Sequence, residues 1–269
     1  MAADHTPLVE DPPLDRGLGA LELAKHVVDR SGVDQVLGPV AGELLQGPAK
    51  PHDRHGVIIA RMTTADIETP HGLARAHLDL ADDPTGALVL GHGAGAGVNA
   101  PDLVAAAGAA REQGFSVALV EQPYRVAGRR SPAPARRLDA AWTTVIDHLR
   151  AHDLEGLPLV AGGRSLGARI ACRTAEGADA AAVLCLAFPL LPPRRSGGEV
   201  QSRLPELDAV GVPVLVVQGE RDRFGIPPEG PRRTVVRVPG DHGLRADPQA
   251  VAAAVEAWLP SVVKAKTPT

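Results

Sequence analysis

Three residues of this chain could together attack a carbonyl group and move the proton that the attack releases: Ser165, Asp222 and His242. Ser165 stands in Gly163-Arg164-Ser165-Leu166-Gly167, which fits G-x-S-x-G. In that pattern a buried strand turns sharply into a helix with serine at the tip, and crowding at the turn calls for glycine two positions to either side. The serine oxygen is left beside a helix N-terminus, where backbone N–H groups point outward. A serine hydroxyl is a weak nucleophile until a base takes its proton. Histidine, with an ordinary pKa near 6.5, can take that proton and later hand it to a leaving group. An aspartate would hold the imidazole tautomer and stabilise the imidazolium. In a chain with 29 glycines the five-residue pattern is also readable as a plain strand-to-helix turn. The acid and base downstream favour acyl transfer. Asp241 and Glu220 are rival acids, but Asp241 adjoins His242, and neighbouring side chains usually diverge, so Asp222 is preferred.

The elements that must carry these residues follow from periodicity. Leu157 to Ala161 is an apolar run leading into the turn, and small and apolar residues follow it as a helix. Upstream, Ile67 to Thr69 and Leu73 to Leu80 read as a hairpin across Pro70-His71-Gly72, with Leu73, Arg75, His77 and Asp79 alternating with Ala74, Ala76, Leu78 and Leu80. Ala87 to Leu90 is a strand. A helix over Leu103 to Arg111 follows, with Asn99 as its expected cap and Pro101 and Asp102 in its first turn. Phe115 to Val120 is the next strand. Leu138, Trp142, Val145 and Leu149 recur at helical spacing within Arg137 to Ala151. Further strands are expected over Ala180 to Leu186, Val212 to Val217 and Thr234 to Val238, and a final helix from Pro248, capped by Asp247. Arg194 to Val210 reads as a polar connection with one short helix.

A hairpin followed by alternating strands and helices means an α/β fold: a mostly parallel sheet covered by helices on both faces. Reactive groups in such sheets gather beyond the carboxyl ends of the strands. Here four strand ends carry the unusual residues: His92-Gly93-Ala94, Ser165, Asp222 and His242.

At this point the chain resembles the alpha/beta-hydrolase superfamily, over roughly Ala65 to Leu259. The segments L-V-L-G-H-G-A-G, A-G-G-R-S-L-G-A-R, V-L-V-V-Q-G-E-R-D and P-G-D-H-G carry the likeness. It is most similar to a small bacterial branch related to the dienelactone hydrolases. The resemblance implies the alpha/beta-hydrolase fold with a minimal lid, and a serine hydrolase of carboxylic esters, thioesters or lactones acting through an acyl-enzyme on Ser165. It implies an oxyanion hole made by the backbone N–H groups of Leu166 and Ala94. Relatives with a full dienelactone-hydrolase site use a cysteine nucleophile. Serine in that place favours acyl transfer over dienelactone or dehalogenase chemistry.

Several residues around this constellation have roles to be assigned. His92 and Gly93 are expected to support the glycine-rich loop, with Gly95 beside them. Tyr124, the one tyrosine, either lines the pocket or packs under it. Arg164 touches either the pocket rim or the carboxylate of a neighbouring loop. Arg125, Arg129, Arg130, Arg136 and Arg137 form a basic cluster that is either a solvated loop or a rim attracting an anionic substrate or partner. His148 and His152 lack the glutamate of a metalloprotease helix and read as a solvated helix end. His52-Asp53-Arg54-His55 reads as a solvated loop. No metal or cofactor is expected.

Composition sets the outer limits. The chain has 269 residues, a net charge of −4 and six aromatic residues, so its core must be built from alanine, valine, leucine and isoleucine. That balance argues against nucleic-acid binding. No run reaches the length of a spanning helix, and no signal peptide is visible, so no membrane partner and a cytoplasmic location are expected. Cys172 and Cys185 sit in small, apolar stretches and read as buried reduced thiols. The lysines fall at 25, 50, 264 and 266 only, which separates the ends from an arginine-only body. The domain reading is therefore a poorly ordered extension over residues 1–62 with one short helix over Leu18 to Val28, a hydrolase domain over 63–261, and a flexible tail over 262–269. The expected partner is a small-molecule ester or lactone. Oligomeric state is not readable. Two other functions stay open: a hydrolase fold kept as an interaction module with an idle triad, and a dinucleotide binder. The second rests on Gly91, Gly93, Gly95 and Gly97 with Glu121 ending the next strand, but the spacing lacks the third glycine of G-x-G-x-x-G.

Overall fold

The computed structural model describes residues 62–192 and 201–263. The expected N-terminal extension with its Leu18 to Val28 helix, the His52-Asp53-Arg54-His55 run, and the start of the Arg194 to Val210 connection lie outside the described residues.

Within them, eight strands form one sheet in the order β1-β2-β4-β3-β5-β6-β7-β8. β1 (Thr63–Thr69) and β2 (Gly72–Asp79) are the antiparallel hairpin, and β2 also runs antiparallel to β4 (Phe115–Glu121). The other pairings, among β3 (Gly86–Gly91), β4, β5 (Leu159–Arg164), β6 (Ala182–Leu186), β7 (Val214–Gly219) and β8 (Arg233–Val238), are parallel. The central strands are apolar end to end because both of their faces are covered. β3 and β6 have no exposed residue.

Helices take the two faces. α1 (Pro101–Glu112) and α6 (Pro248–Val263) pack together on one, around Leu88, Leu103, Val160, Val217, Val251 and Leu259. α3 (Ala135–Ala151) and α4 (Leu166–Thr174) cover the other, around Val89, Trp142, Ile146, Ala161, Ile170 and Val216. The short helices α2 (Pro123–Val126) and α5 (Leu204–Asp208) lie in the connections after β4 and before β7. Cys172 and Cys185 are free, buried and 3.5 Å apart at sulfur, in α4 and β6. No helix among the described residues is long and apolar enough to cross a membrane.

Three local expectations are corrected. α1 is not capped by Asn99: Ala100 holds the cap position without a side-chain bond, and Pro101 at the first helical position needs no N–H partner. Leu80 does not continue the buried row of β2. The strand ends at Asp79, and Leu80 is exposed at the turn. α6 runs past Leu259 to Val263 with Val262 buried, so the expected flexible tail cannot begin at residue 262. The Asp247 cap is present, its Oδ1 accepting the Ala250 N–H at 2.9 Å.

Candidate active site

β5 delivers Ser165 and α4 begins at Leu166, so Ser165 is the cap residue of α4. Its backbone sits at φ 51°, a region that costs a non-glycine residue about 1–3 kcal/mol and persists only where the surroundings enforce it. The enforcement is visible. Ser165 N–H donates to the Leu186 carbonyl of β6 at 2.9 Å. On either side, a Cβ at Gly163 or at Gly167 would collide with the Gly91 backbone of β3. Glycine at both places lets strand and helix close against β3, and the serine is left at the apex.

The loops after β7 and β8 bring the other two residues to it. His242 Nε2 lies 2.9 Å from Ser165 Oγ, and His242 Nδ1 lies 2.8 Å from Asp222 Oδ2. The loops are locked together by Arg221 N–H donating to the Gly240 carbonyl at 2.9 Å and by Glu220 N–H donating to Val238 at 3.0 Å. Asp222 is buried and its carboxylate is fully engaged. Oδ1 accepts the Phe224 N–H at 2.8 Å, and Oδ2 accepts from Gln218 Nε2 at 2.7 Å as well as from His242. The rival acids are elsewhere: Asp241 is exposed and accepts the Gly243 N–H, and Glu220 is exposed. The Phe224 ring meets the His242 imidazole edge-on at 4.5 Å.

The loop after β3 lies against the elbow: a Cβ on Gly93 would stand 3.7 Å from Ser165 Cβ and 2.9 Å from the Arg164 guanidinium. His92 is buried. Its Nε2 accepts the Gln122 N–H at 3.1 Å and its Nδ1 donates to the Gly93 carbonyl at 2.8 Å. Only a neutral ring with its proton on Nδ1 satisfies both bonds, and burial holds the His92 pKa below its ordinary value. Tyr124 is buried and its hydroxyl donates to the Ala94 carbonyl at 3.3 Å, with burial pushing its pKa up to about 12. Gly95, beside them, is exposed, with open space where a Cβ would stand.

Arg164 reaches the carboxylate of a helix rather than of a loop. Its Nε is 2.9 Å from Oδ2 of Asp102, which is fully buried in the first turn of α1, and a terminal nitrogen donates to the His242 carbonyl at 2.9 Å. Burial raises the Asp102 pKa, with Arg164 pulling against it. Neither Asp102 in this role nor Gln218 was identified from sequence. Gln218 carried a signal, as the one polar residue in the strand run Val214-Leu215-Val216-Val217-Gln218.

The basic cluster divides: Arg125 acts electrostatically on His92 and Tyr124 beneath the loop after β3, while two of its members face elsewhere. Arg129 and Arg137 border a cavity of about 560 Å³ that Tyr124 also lines, but neither Ser165 nor His242 does. A second cavity, of about 510 Å³, is lined by His242 together with Arg221, Arg223, Asp241, Gly243 and Arg245. Glu121, the acid of the dinucleotide alternative, is paired with His77 at 2.7 Å across β2 and β4.

Comparison with known proteins agrees with the fold. A serine hydrolase without a lid from Xanthomonas campestris superposes with a TM-score of 0.58 at 20% identity, covering 74% of this chain and 95% of that one. Est1E from Butyrivibrio proteoclasticus, also solved with ferulic acid bound, reaches 0.60 at 16% identity, with 75% and 99% covered. Dienelactone hydrolase from Anabaena variabilis gives 0.57 at 16% identity, with 73% and 94% covered. None of the curated proteins compared with the chain matches it. The family model of the alpha/beta hydrolase domain matches residues 84–235, more than half of the sequence, and the chain belongs to that family.

Proposed function

We propose that this protein is a serine hydrolase that cleaves carboxylic esters, thioesters or lactones through an acyl-enzyme on Ser165. The observation that carries the reading is the continuous chain of contacts from Ser165 Oγ to His242 Nε2 and from His242 Nδ1 to Asp222 Oδ2, at 2.9 and 2.8 Å. Ser165 O–H donates to His242 Nε2. As Oγ bonds to the substrate carbonyl carbon, the proton passes to Nε2, and Asp222 stabilises the imidazolium at Nδ1. Collapse breaks the bond to the alcohol or thiol, which takes the proton from Nε2. Water, deprotonated by the same nitrogen, then bonds to the acyl carbon; the bond from that carbon to Ser165 Oγ breaks, Oγ takes the proton back from Nε2, and the acid leaves. The oxyanion formed at each stage is bound by the Leu166 N–H at the start of α4 and by the Ala94 N–H of the loop after β3; one such donor typically contributes about 3–4 kcal/mol to the transition state. His92 and Tyr124 hold that loop from beneath, at Gly93 and at Ala94.

A fluorophosphonate probe tests the reading. Wild-type protein is expected to label and Ser165→Ala to lose labelling entirely, and Asp222→Asn is expected to turn over an aryl acetate on the order of 10⁴-fold more slowly. Absence of labelling in folded wild-type protein, or equal labelling of Ser165→Ala, would overturn it.

A further inference from the structure

The cavity beside His242 has a charge opposite to that of the whole molecule. The chain carries a net charge of −4, yet Arg221, Arg223 and Arg245 face this one cavity against a single carboxylate, Asp241. Asp241 is already turned to its own loop through the Gly243 N–H at 2.8 Å. Among the described residues, none of the three arginines forms an ion pair or a side-chain hydrogen bond, as is also true of Arg129, Arg130, Arg136, Arg137, Arg232 and Arg237, whereas Arg75, Arg111, Arg150, Arg164, Arg169, Arg173 and Arg233 are paired to carboxylates. What sets the three apart is that they line one cavity with His242. All three arginines are exposed, so their guanidiniums are open to an anion from solvent.

Their placement follows from local spacing. In Arg221-Asp222-Arg223 the middle residue turns inward to His242, and its neighbours line the cavity. Arg223 is further held by its guanidinium over the Phe224 ring, 4.8 Å from the centroid, and that ring stands against the His242 imidazole. Arg245 joins from the loop after β8. A guanidinium presents paired N–H donors that match a carboxylate or a phosphate, and several around one cavity select for such a group.

We infer that this cavity is a subsite for an anionic group, a carboxylate or phosphate, carried by the alcohol part of the substrate. The inference rests on the hydrolase reading above, because the leaving group is the part that must meet His242 to collect its proton. It moves the source of anion preference from the Arg125–Arg137 cluster, of which Arg129 and Arg137 border a different cavity, to Arg221, Arg223 and Arg245.

Three acetates that differ only in the alcohol part make the test: methyl 4-acetoxybenzoate, which is neutral, 4-acetoxybenzoate, and 4-acetoxyphenyl phosphate. Wild type is expected to prefer at least one anionic ester over the neutral one in kcat/KM, and the better of the two identifies the anion. Replacing Arg221, Arg223 and Arg245 by glutamine is expected to lower the anionic-to-neutral ratio at least about tenfold, while lysine at the same three places retains most of it. Glutamine at Arg130 and Arg136 is the control for the long-range field and should leave the ratio unchanged. Equal kcat/KM for all three esters in wild type, or an equal fall in the ratio in the control, would overturn the subsite. If folded protein neither labels with fluorophosphonate nor turns over any ester, the hydrolase reading has failed. Calorimetric titration with 4-hydroxybenzoate against 4-hydroxybenzamide then still decides the cavity: tighter carboxylate binding that the glutamine variant loses supports it, and equal binding overturns it.

Discussion

Arg164 occupies the variable position between glycine and serine in the elbow, and its side chain does what no neighbouring backbone contact can. It joins three segments: the elbow itself, the first turn of α1 through Asp102, and the loop of His242 through its carbonyl. Both partners are withdrawn from water, with Arg164 12% and Asp102 0% exposed. Removing one member of a buried pair leaves the other charge uncompensated, which costs about 3–5 kcal/mol. Arg164→Met should therefore lower stability by about that much in urea titration at neutral pH, and adding Asp102→Asn should restore a large part. The single variant should also regain stability as the pH falls. Its buried carboxyl binds a proton more tightly in the folded than in the unfolded chain, so acid favours the folded state. A loss below about 1 kcal/mol would mean the pair is as weak as an exposed one. Ser165, Asp222 and His242 were legible in the sequence because their types and order name a chemistry. Asp102 and Gln218 were not, because an acid in a first turn and a glutamine at a strand end reveal their purpose only once tertiary packing buries them.

At the scale of elements, the sequence disclosed strands and helices but blurred their ends. The apolar runs of β3, β5, β6 and β7 stood out because two covered faces leave no place for polar residues. α1 showed a weak pattern for the opposite reason. Its alanines are buried nearly all round, between the sheet and α6, so no polar stripe marks it. Beside Tyr124, the loop between β3 and α1 is held by His92, which accepts from the backbone at the end of β4 and donates within the loop. That tie needs a neutral ring, and it makes a pH prediction. The unfolded imidazole binds a proton as pH falls through about 6.5, while burial keeps the folded ring neutral to a lower pH. Over that interval the unfolded state binds more protons, so this contribution to stability declines as pH falls and levels off once the folded ring also titrates. Urea midpoints of wild type and His92→Asn, measured from pH 8 to 5, should diverge: the wild type loses more stability on acidification than the variant. Parallel profiles would mean that His92 is not held neutral by the fold.

At the scale of the molecule, the strand order was hidden. β4 is inserted between β2 and β3, and nothing local in the chain says which parallel strand neighbours which. The carboxyl-end rule supplied what the order could not, since parallel strands deliver their ends to one edge whatever their sequence. Among the described residues, both helix layers, the eight strands and every residue of the proposed site belong to one sheet and its two faces. Each face of the sheet has its own apolar layer, and α6, the last element, closes one of them with Val251, Val255, Leu259 and Val262. α6 thus carries the folded domain to Val263, two residues beyond the boundary expected from sequence. A chain limited to Met62–Val263 should fold cooperatively, melt within about 5 °C of the full chain, a difference of about 1–2 kcal/mol for a domain of this size, and label at Ser165 at the same rate. Ending the chain at Leu259 instead should lower the melting temperature further, because Val262 then leaves the layer between α6 and the sheet. Failure of the 62–263 chain to fold would assign residues 1–61 a necessary part in the domain, and equal melting of the two shorter chains would remove the last turn of α6 from its core.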